Sequence, residues 1–268
     1  MIRDLTGLAL DESKAYLIEG RLGPIAEEMG CANLNELYFK MKYTPEPALQ
    51  RRIIEAITTH ETLWFRDGAP FEALQFKMVP ESIDAREQIG QSKRLRIWSA
   101  ACSTGQEPYG IAMIVRDLVP DIDSWNVEII GTDISEETLE KAREGTYSEH
   151  DISRSQRPDA MRKWFDYNGA TATVKPEIRN MVTFRQVNLM DSFASLGSFD
   201  IVFVRNVLIY FDLATRRKVV TNISRTLLPH GWLSLGSTEN LSEVCPEWPA
   251  EVHCRATTYR PCALPAPL

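Results

Sequence analysis

The sequence predicts a mixed α/β fold: a doubly wound parallel sheet, preceded by a block of helices and interrupted by a small antiparallel insertion. Strand and helix patterns alternate from Arg94 onward, and no strand pattern appears in residues 1–70. One crossover, residues 146–181, far exceeds the usual connection of about 2 to 6 residues. With 268 residues, 44% hydrophobic and 25% charged, the chain suits one large domain or two unequal ones of ordinary globular composition.

In the helical block, residues 1–70, Asp11 or Ser13 can cap a helix with Ala15, Leu17, Ile18, Leu22, Ile25 and Ala26 on its apolar face. Asn33 caps a second helix reaching Met41, and a third runs from Pro47 to Ile57. Residues 71–93 are expected to be a linker: Phe71, Leu74 and Phe76 lead to a polar end, Glu87 to Lys93, that includes Gln91 and Ser92. The sheet domain spans 94–260, with strands at 94–99, 127–132, 182–187, 200–205 and 231–236 and helices at 107–118, 135–144 and 213–228. A last hairpin includes Val252 to Arg260. Inside the insertion, a helical piece around Ala160 to Trp164 precedes Phe165 to Tyr167 and Thr171 to Val174, which Asn168-Gly169 separates as a hairpin signal. A β-subdomain on one edge of the sheet is expected there. The Pro-rich stretch 261–268 is expected to be a disordered tail.

A net charge of −7 argues against broad nucleic-acid or anionic-membrane binding. No apolar run approaches the ~20 residues of a membrane span, and Met1-Ile2-Arg3-Asp4 does not open like a signal peptide. A cytoplasmic monomer with no membrane insertion is expected. Cys31, Cys102, Cys245, Cys254 and Cys262 are odd in number and lack a Cys-x-x-Cys pair, so they read as reduced thiols. His60, His150, His230 and His253 show no metal-ligand spacing, and no metal site is expected.

The richest stretch for chemistry is Arg94 to Tyr109. Ala100, Ala101, Cys102, Ser103, Thr104 and Gly105 make a small-residue turn whose backbone can approach a ligand and aim free N–H groups at it. Pro108 suits a helix start, and Ile111, Ala112, Ile114, Val115 and Leu118 supply a buried stripe. The second strand ends at Gly131-Thr132-Asp133, which places an acid to hold a ribose diol. The turn is not Gly-x-Gly-x-x-Gly, and Glu107 stands where a pyrophosphate would sit. An acidic lining of that kind repels a dinucleotide and favours a cofactor bearing an ammonium and a sulfonium, such as S-adenosyl-L-methionine. The plainer alternatives are that Glu107 only complements the helix dipole and that Asp133 only caps the helix opening at Ser135.

Three further runs complete the pattern: Ile57 to Asp67 (Ile-Thr-Thr-His-Glu-Thr-Leu-Trp-Phe-Arg-Asp), Val187-Asn188-Leu189, and Phe199 to Asp212 (Phe-Asp-Ile-Val-Phe-Val-Arg-Asn-Val-Leu-Ile-Tyr-Phe-Asp). With Ser99 to Tyr109, these make the chain resemble, over essentially its whole length, the CheR family of chemotaxis receptor glutamate O-methyltransferases. The Ser-Thr-Gly-x-Glu-Pro-Tyr and Arg-Asn-Val-x-Ile-Tyr-Phe runs in this order are specific, whereas a generic Rossmann signal is weak. The resemblance implies a Rossmann-like S-adenosyl-L-methionine methyltransferase domain, and an antiparallel edge hairpin distinguishes such folds from dehydrogenases by analogy. It implies cofactor contacts from His60, Thr62, Arg66, Glu107 and Asp133, from Asn188 and Leu189 beside the adenine, and from Arg205 and Asn206 after the fourth strand. It also implies that Arg66 and Tyr210 face the transferred methyl as the catalytic pair. Two positions depart from the family pattern: His60 where Asn is usual and Gln106 where Glu is usual.

What the resemblance implies for partners is the cytoplasmic helical region of methyl-accepting chemotaxis receptors. Lys14, Arg21, Arg51 and Arg52 of the helical block would dock along it, although residues 1–66 hold more acids than bases. In some members the β-subdomain grips a receptor C-terminal tether peptide by strand addition. The products would be glutamate methyl esters, for sensory adaptation, and S-adenosyl-L-homocysteine. Two other readings use the same residues. A nonenzymatic S-adenosylmethionine or S-adenosylhomocysteine-binding regulator of a signalling complex fits less well, because Arg66 and Tyr210 are retained. A nucleic-acid or small-molecule methyltransferase is disfavoured by Asn206-Val207-Leu208-Ile209-Tyr210, where amino-directed DNA enzymes resemble one another in Asn/Asp-Pro-Pro-Tyr, and by the acidic balance.

Overall fold

Four helices open the chain in a computed structural model that describes residues 1–9, 15–44, 46–91 and 93–261. The expectations for Asp11, Ser13, Lys14, Ser92, Cys262 and the tail at 262–268 lie outside the described residues. The helices are α1 (Ile2–Thr6), α2 (Ala15–Glu28), α3 (Leu34–Tyr43) and α4 (Pro47–Ile57). The sequence pattern misses only α1, which is too short to show periodicity. Asn33 caps α3 by accepting from Glu36 N–H at 3.0 Å, and the Glu36 carboxylate reaches back to Ala32 N–H at 2.7 Å. Leu22, Ile25, Leu37, Met41, Leu49 and Ile53 close a small core among these helices.

The stretch expected to be a linker is helical over most of its length: α5 (Ala69–Ala73), a π-helical turn (Leu74–Met78) and α6 (Val79–Gln88) run on without interruption. Phe71, Leu74, Met78 and Val79 join the core beneath the sheet. Two prolines, Pro70 and Pro80, fall within this run. They sit at the start of α5 and just after the π turn, where a missing amide is tolerated, and the π turn shifts the apolar face out of the 3.6-residue period.

Alternation then begins with β1 (Arg94–Ala100), α7 (Gln106–Leu118), β2 (Asn126–Asp133) and α8 (Glu136–Glu144). The insertion supplies β3 (Thr146–Ser148), α9 (Glu149–Ser153), α10 (Pro158–Trp164), β4 (Phe165–Asn168), β5 (Thr171–Val174) and α11 (Pro176–Arg179). The chain returns through β6 (Val182–Gln186), β7 (Phe199–Val204), α12 (Leu213–Ser224), β8 (Leu227–Leu235), β9 (Ala250–His253) and β10 (Ala256–Tyr259). The main sheet has the order β6-β2-β1-β7-β8-β10-β9, parallel from β6 to β8 and closed by the antiparallel pair β10 and β9.

Successive strand residues face opposite sides of the sheet. Leu95, Ile97, Ile129, Ile201 and Phe203 therefore pack with α7, while Trp98, Ile130, Val202 and Val204 pack with Val219, Val220 and Ile223 of α12. Burial on both faces explains the unbroken apolar run of β7. Helix α12 stops at Ser224, short of the expected 228, because Leu227 already pairs with Phe199 and a register shift follows before Ile201. At the amino end of β7 the buried Asp200 carboxylate accepts from Arg86 at 2.7 and 3.0 Å, from Arg96 N–H at 2.8 Å, and lies 2.9 Å from His230 Nε2.

The insertion forms a three-stranded antiparallel sheet, β3-β5-β4, with its hairpin turning at Asn168-Gly169 and Gly169 at φ 61°. Trp64 fixes it to the rest of the molecule, its ring meeting Tyr147 and Phe165 edge-on at centroid distances of 4.9 and 5.1 Å. Among the described residues, no helix is long and apolar enough to cross a membrane.

Candidate active site

The crossovers leaving β1 and β7 pass to opposite faces, so the carboxyl ends of these neighbouring strands open onto a crevice. A single cleft at this point is lined by every residue singled out from the sequence: His60, Thr62, Arg66, Glu107, Asp133, Asn188, Leu189, Arg205, Asn206 and Tyr210.

The β1–α7 turn holds Ala101, Ser103 and Gly105 at positive φ (56°, 51° and 92°). A side chain at Gly105 would put its Cβ 2.9 Å from Ala142 Cβ, so glycine is needed for both conformation and space. The expectation that the turn amides are free for a ligand needs correction at three of them. Cys102 N–H donates to Thr132 O at 2.9 Å, Ser103 N–H to Asp133 Oδ2 at 2.8 Å, and Gly105 N–H to Cys102 O at 3.1 Å. The turn is tied to β2 through its own backbone.

Asp133 is 6% exposed, and its other oxygen accepts from Ser135 N–H at 3.0 Å. Burial pushes its carboxyl above the ordinary aspartate value, against the opposing pull of the Ser135 and Ser103 amides and of His60. The cap of α8 is Ser135, whose Oγ accepts from Thr138 N–H at 3.1 Å. Asp133 thus braces that junction while each carboxylate oxygen keeps a second lone pair for a diol. Burial, followed by the charges of Asp133 and Glu107, pushes the Cys102 thiol up, so it stays protonated and is no nucleophile.

Glu107 corrects the sequence-based picture of an acidic lining. Its carboxylate accepts from Ser99 Oγ at 2.8 Å and from Arg205 at 2.7 Å. Arg205, with a side chain 2% exposed, also donates to Asp67 Oδ2 at 2.8 Å and to Arg66 O at 2.7 Å. The carboxylates Glu61, Glu107 and Asp133 thus line the same cleft as the guanidinium groups of Arg21, Arg66 and Arg205. Such a mixed lining suits a ligand that is itself zwitterionic, like the amino-acid end of S-adenosyl-L-methionine, better than it suits a simple cation. Arg205 Nε is buried and has no partner among the described residues, an orphan donor that a ligand carboxylate would satisfy.

The opposite wall is the segment between α4 and α5. Trp64 and Phe65 anchor it in the core, and Phe65, Asp67 and Gly68 turn through positive φ (54°, 68° and 59°). Between them Arg66 reaches into the cleft. Its guanidinium donates at 3.3 Å to Glu61 O and meets no carboxylate within ion-pair distance among the described residues. Asp67, one of the acids that could have neutralised it, pairs with Arg205 instead. His60 Nε2 lies 2.9 Å from Thr58 Oγ1, and His60 O accepts from Ser103 Oγ at 2.8 Å. Tyr210 is 40% exposed.

Residues that sequence reasoning missed close the cleft from the amino end: Thr6, Leu8, Ala9 and, from α2, Leu17 and Arg21. Asn188 Nδ2 donates to Leu5 O at 2.7 Å, Ala9 N–H donates to Tyr210 O at 2.9 Å, and Leu8 bridges Phe211. No local pattern signals contacts of such sequence separation. The expected cationic docking cluster is thinner than its residue types imply. Arg21 donates to Ile57 O at 3.0 Å and lines the cleft, and Arg52 is paired with Glu28.

Comparison with known proteins gives the family. Residues 60–257 match the family described as CheR methyltransferase, SAM binding domain. The chain is 43% identical over 241 residues to "Chemotaxis protein methyltransferase Cher2" of Pseudomonas putida, covering 88% of this chain and 86% of that protein. It is 41% identical over 246 residues to "Chemotaxis protein methyltransferase 1" of Pseudomonas aeruginosa, with 89% and 86% covered. It is 34% identical over 238 residues to "Chemotaxis protein methyltransferase" of Borreliella burgdorferi, with 88% and 83% covered. The chain belongs to the CheR methyltransferase family, and S-adenosyl-L-methionine is its cofactor.

Proposed function

We propose that the chain methylates glutamate side-chain carboxylates of chemotaxis receptors in the cytoplasm, a finer statement of the S-adenosylmethionine-dependent methylation in chemotaxis that its family and relatives support. The observation that carries this reading is Arg66, a guanidinium without a carboxylate partner among the described residues, lining the same cleft as the half-exposed Tyr210. Bound in that cleft, S-adenosyl-L-methionine supplies a methyl group on a sulfonium, open to in-line displacement by an oxygen nucleophile.

A glutamate carboxylate, with an ordinary pKa of about 4.3, is already ionised near neutral pH, so no side chain has to remove a proton. The protein's task is then alignment and exclusion of water, for which effective molarities contribute on the order of 7 to 11 kcal/mol. Arg66 is assigned to hold the incoming carboxylate by paired N–H donors, and Tyr210 to add a directed hydroxyl. That grip must tighten toward the transition state to raise the rate. Glu107, Asp133 and Arg205, with His60, Thr62, Asn188, Leu189 and Asn206, are assigned to hold the cofactor. We assign receptor docking to the helical block at residues 1–70 and catalysis to 94–260. The edge strands of the small sheet at 146–181 are assigned to a receptor tether peptide.

The test is incubation with labelled S-adenosyl-L-methionine and receptor cytoplasmic fragments. A carboxyl methyl ester releases its label in mild base, so base-stable label would reject the glutamate substrate. A nonenzymatic regulator would bind the cofactor and leave the fragments unlabelled.

A further inference from the structure

We propose that Glu239, in the turn after β8, is a positioning residue that sets the loop carrying Arg205, Asn206 and Tyr210. The inference rests on the roles proposed above for those three residues. Glu239 is 8% exposed, and its two carboxylate oxygens gather four backbone N–H groups. Oε2 accepts from Asn206 at 2.7 Å and Gly236 at 2.8 Å, and Oε1 accepts from Val207 at 3.0 Å and Ile209 at 3.3 Å. Three of these donors belong to the loop after β7, and the fourth closes the end of β8.

A carboxylate is the one side-chain type with acceptor capacity on both branches and no donor. Asn206 needs the support, since it stands at φ 57°, a conformation a non-glycine residue keeps only when its surroundings impose it. Gly236 gives independent evidence of a built contact. A Cβ there would fall 2.6 Å from Glu239 Oε2, 2.8 Å from Asn206 Nδ2 and 2.9 Å from Asn206 N. Nothing larger than glycine lets the two strand ends approach. The grip extends farther through Arg205, the first residue of the loop, which donates to Glu107, to Asp67 and to the carbonyl of Arg66. One acidic side chain thus holds Asn206, Val207 and Ile209 directly and steadies Tyr210 and Arg66 at second hand.

Glu239→Gln keeps size and shape but turns one oxygen into an NH2 that faces two backbone donors. We expect it to bind S-adenosyl-L-homocysteine about 10-fold or more weakly, as the loss of hydrogen bonds to a charged acceptor implies. Its kcat on receptor fragments should fall by about 100-fold, the size of effect that follows a misplacement of ~1 Å, while KM for the fragments stays near that of the wild type. Glu239→Asp should recover part of the affinity. A role in folding alone would lower the melting temperature and leave affinity and kcat of the folded protein unchanged, which would overturn the proposal. Should Glu239→Gln not fold, Gly236→Ala is expected to give the same loss of affinity through displacement of the carboxylate. Amide exchange on the unmutated protein gives a third readout. Slow exchange at Asn206, Val207 and Ile209 supports the clamp, and free exchange there overturns it. The S-adenosyl-L-homocysteine affinity and exchange results stand even if the wild type yields no base-labile ester, an outcome that counts against the glutamate substrate instead.

Discussion

The two walls of the cleft are built on different principles. On the sheet side, Asp133 and Arg205 are buried, and together with Glu107 every one of them is engaged by backbone or by an opposite charge. On the side of the segment between α4 and α5, Arg66 makes one long hydrogen bond to a carbonyl, and Tyr210, reaching the same cleft from the loop after β7, is 40% exposed. The paired wall is rigid before any ligand arrives, which suits holding a cofactor. The unpaired groups keep their hydrogen-bonding capacity for a partner that comes from solvent. Exposure and pairing, more than residue type, separate the two duties.

The contrast breaks most visibly at Arg205. Arg205→Ala would leave Glu107 and Asp67 facing each other without a cation, and should cost about 3–5 kcal/mol of stability in urea denaturation. A loss below about 1 kcal/mol would mean that solvent screens the cluster and that this wall is not rigid.

Next come Arg66→Ala and Asp133→Ala, read as a pair. Arg66→Ala should lower kcat by about 100-fold, the scale of losing one transition-state donor, with a smaller change in affinity for S-adenosyl-L-homocysteine. Asp133→Ala should weaken that affinity by about 1.5–3 kcal/mol, the worth of hydrogen bonds to a charged group. Equal effects on both measurements would erase the distinction between the walls. Acidity sharpens it further. Because burial raises the Asp133 carboxyl in the folded protein, its contribution to stability is fully present below the ordinary value of about 3.9 and is lost as pH rises through the folded value. Holding a diol needs the ionised form, so S-adenosyl-L-homocysteine affinity should climb with pH through that same window. Calorimetric titration beside urea unfolding checks the opposite signs.

The smallest effect is expected at the one lining position that departs from the usual family residue. His60→Asn should change cofactor affinity by less than about 1 kcal/mol, since the clearest contact of His60 to the sheet wall is its carbonyl to Ser103, which the substitution keeps. A larger change measured by calorimetry would show that the imidazole itself binds.

Where local physics decides, the sequence was a good guide. Asn33 before α3, Pro47 opening α4 and Asn168-Gly169 between β4 and β5 each announce an element by capping or turn chemistry, and the elements stand where those signals put them. The run from α5 to α6 was hidden because its prolines mimic breakers and its π turn breaks periodicity. The lining of the cleft was legible as a set because its residues lie in four short runs and at the tip of β2, Asp133. Their partners were not. That Asp67 goes to Arg205 rather than to Arg66, that Glu107 is already neutralised, and that residues 5–9 lie against Asn188 and Tyr210 are facts of tertiary distance. Charge counting along the chain cannot supply them.

Strand β7 carries one charged anchor near each end: Asp200 near its beginning, in a knot with Arg86 and His230, and Arg205 just past its finish, lining the cleft. A screen that scored only swimming behaviour would collect variants at both positions and treat them alike. Adding a measurement of how much intact protein accumulates would separate both of these anchors from the exposed or singly bonded groups of the cleft. Losses at Asp200 and Arg205 should track vanished material, while losses at Tyr210 or Arg66 should leave abundant but idle protein.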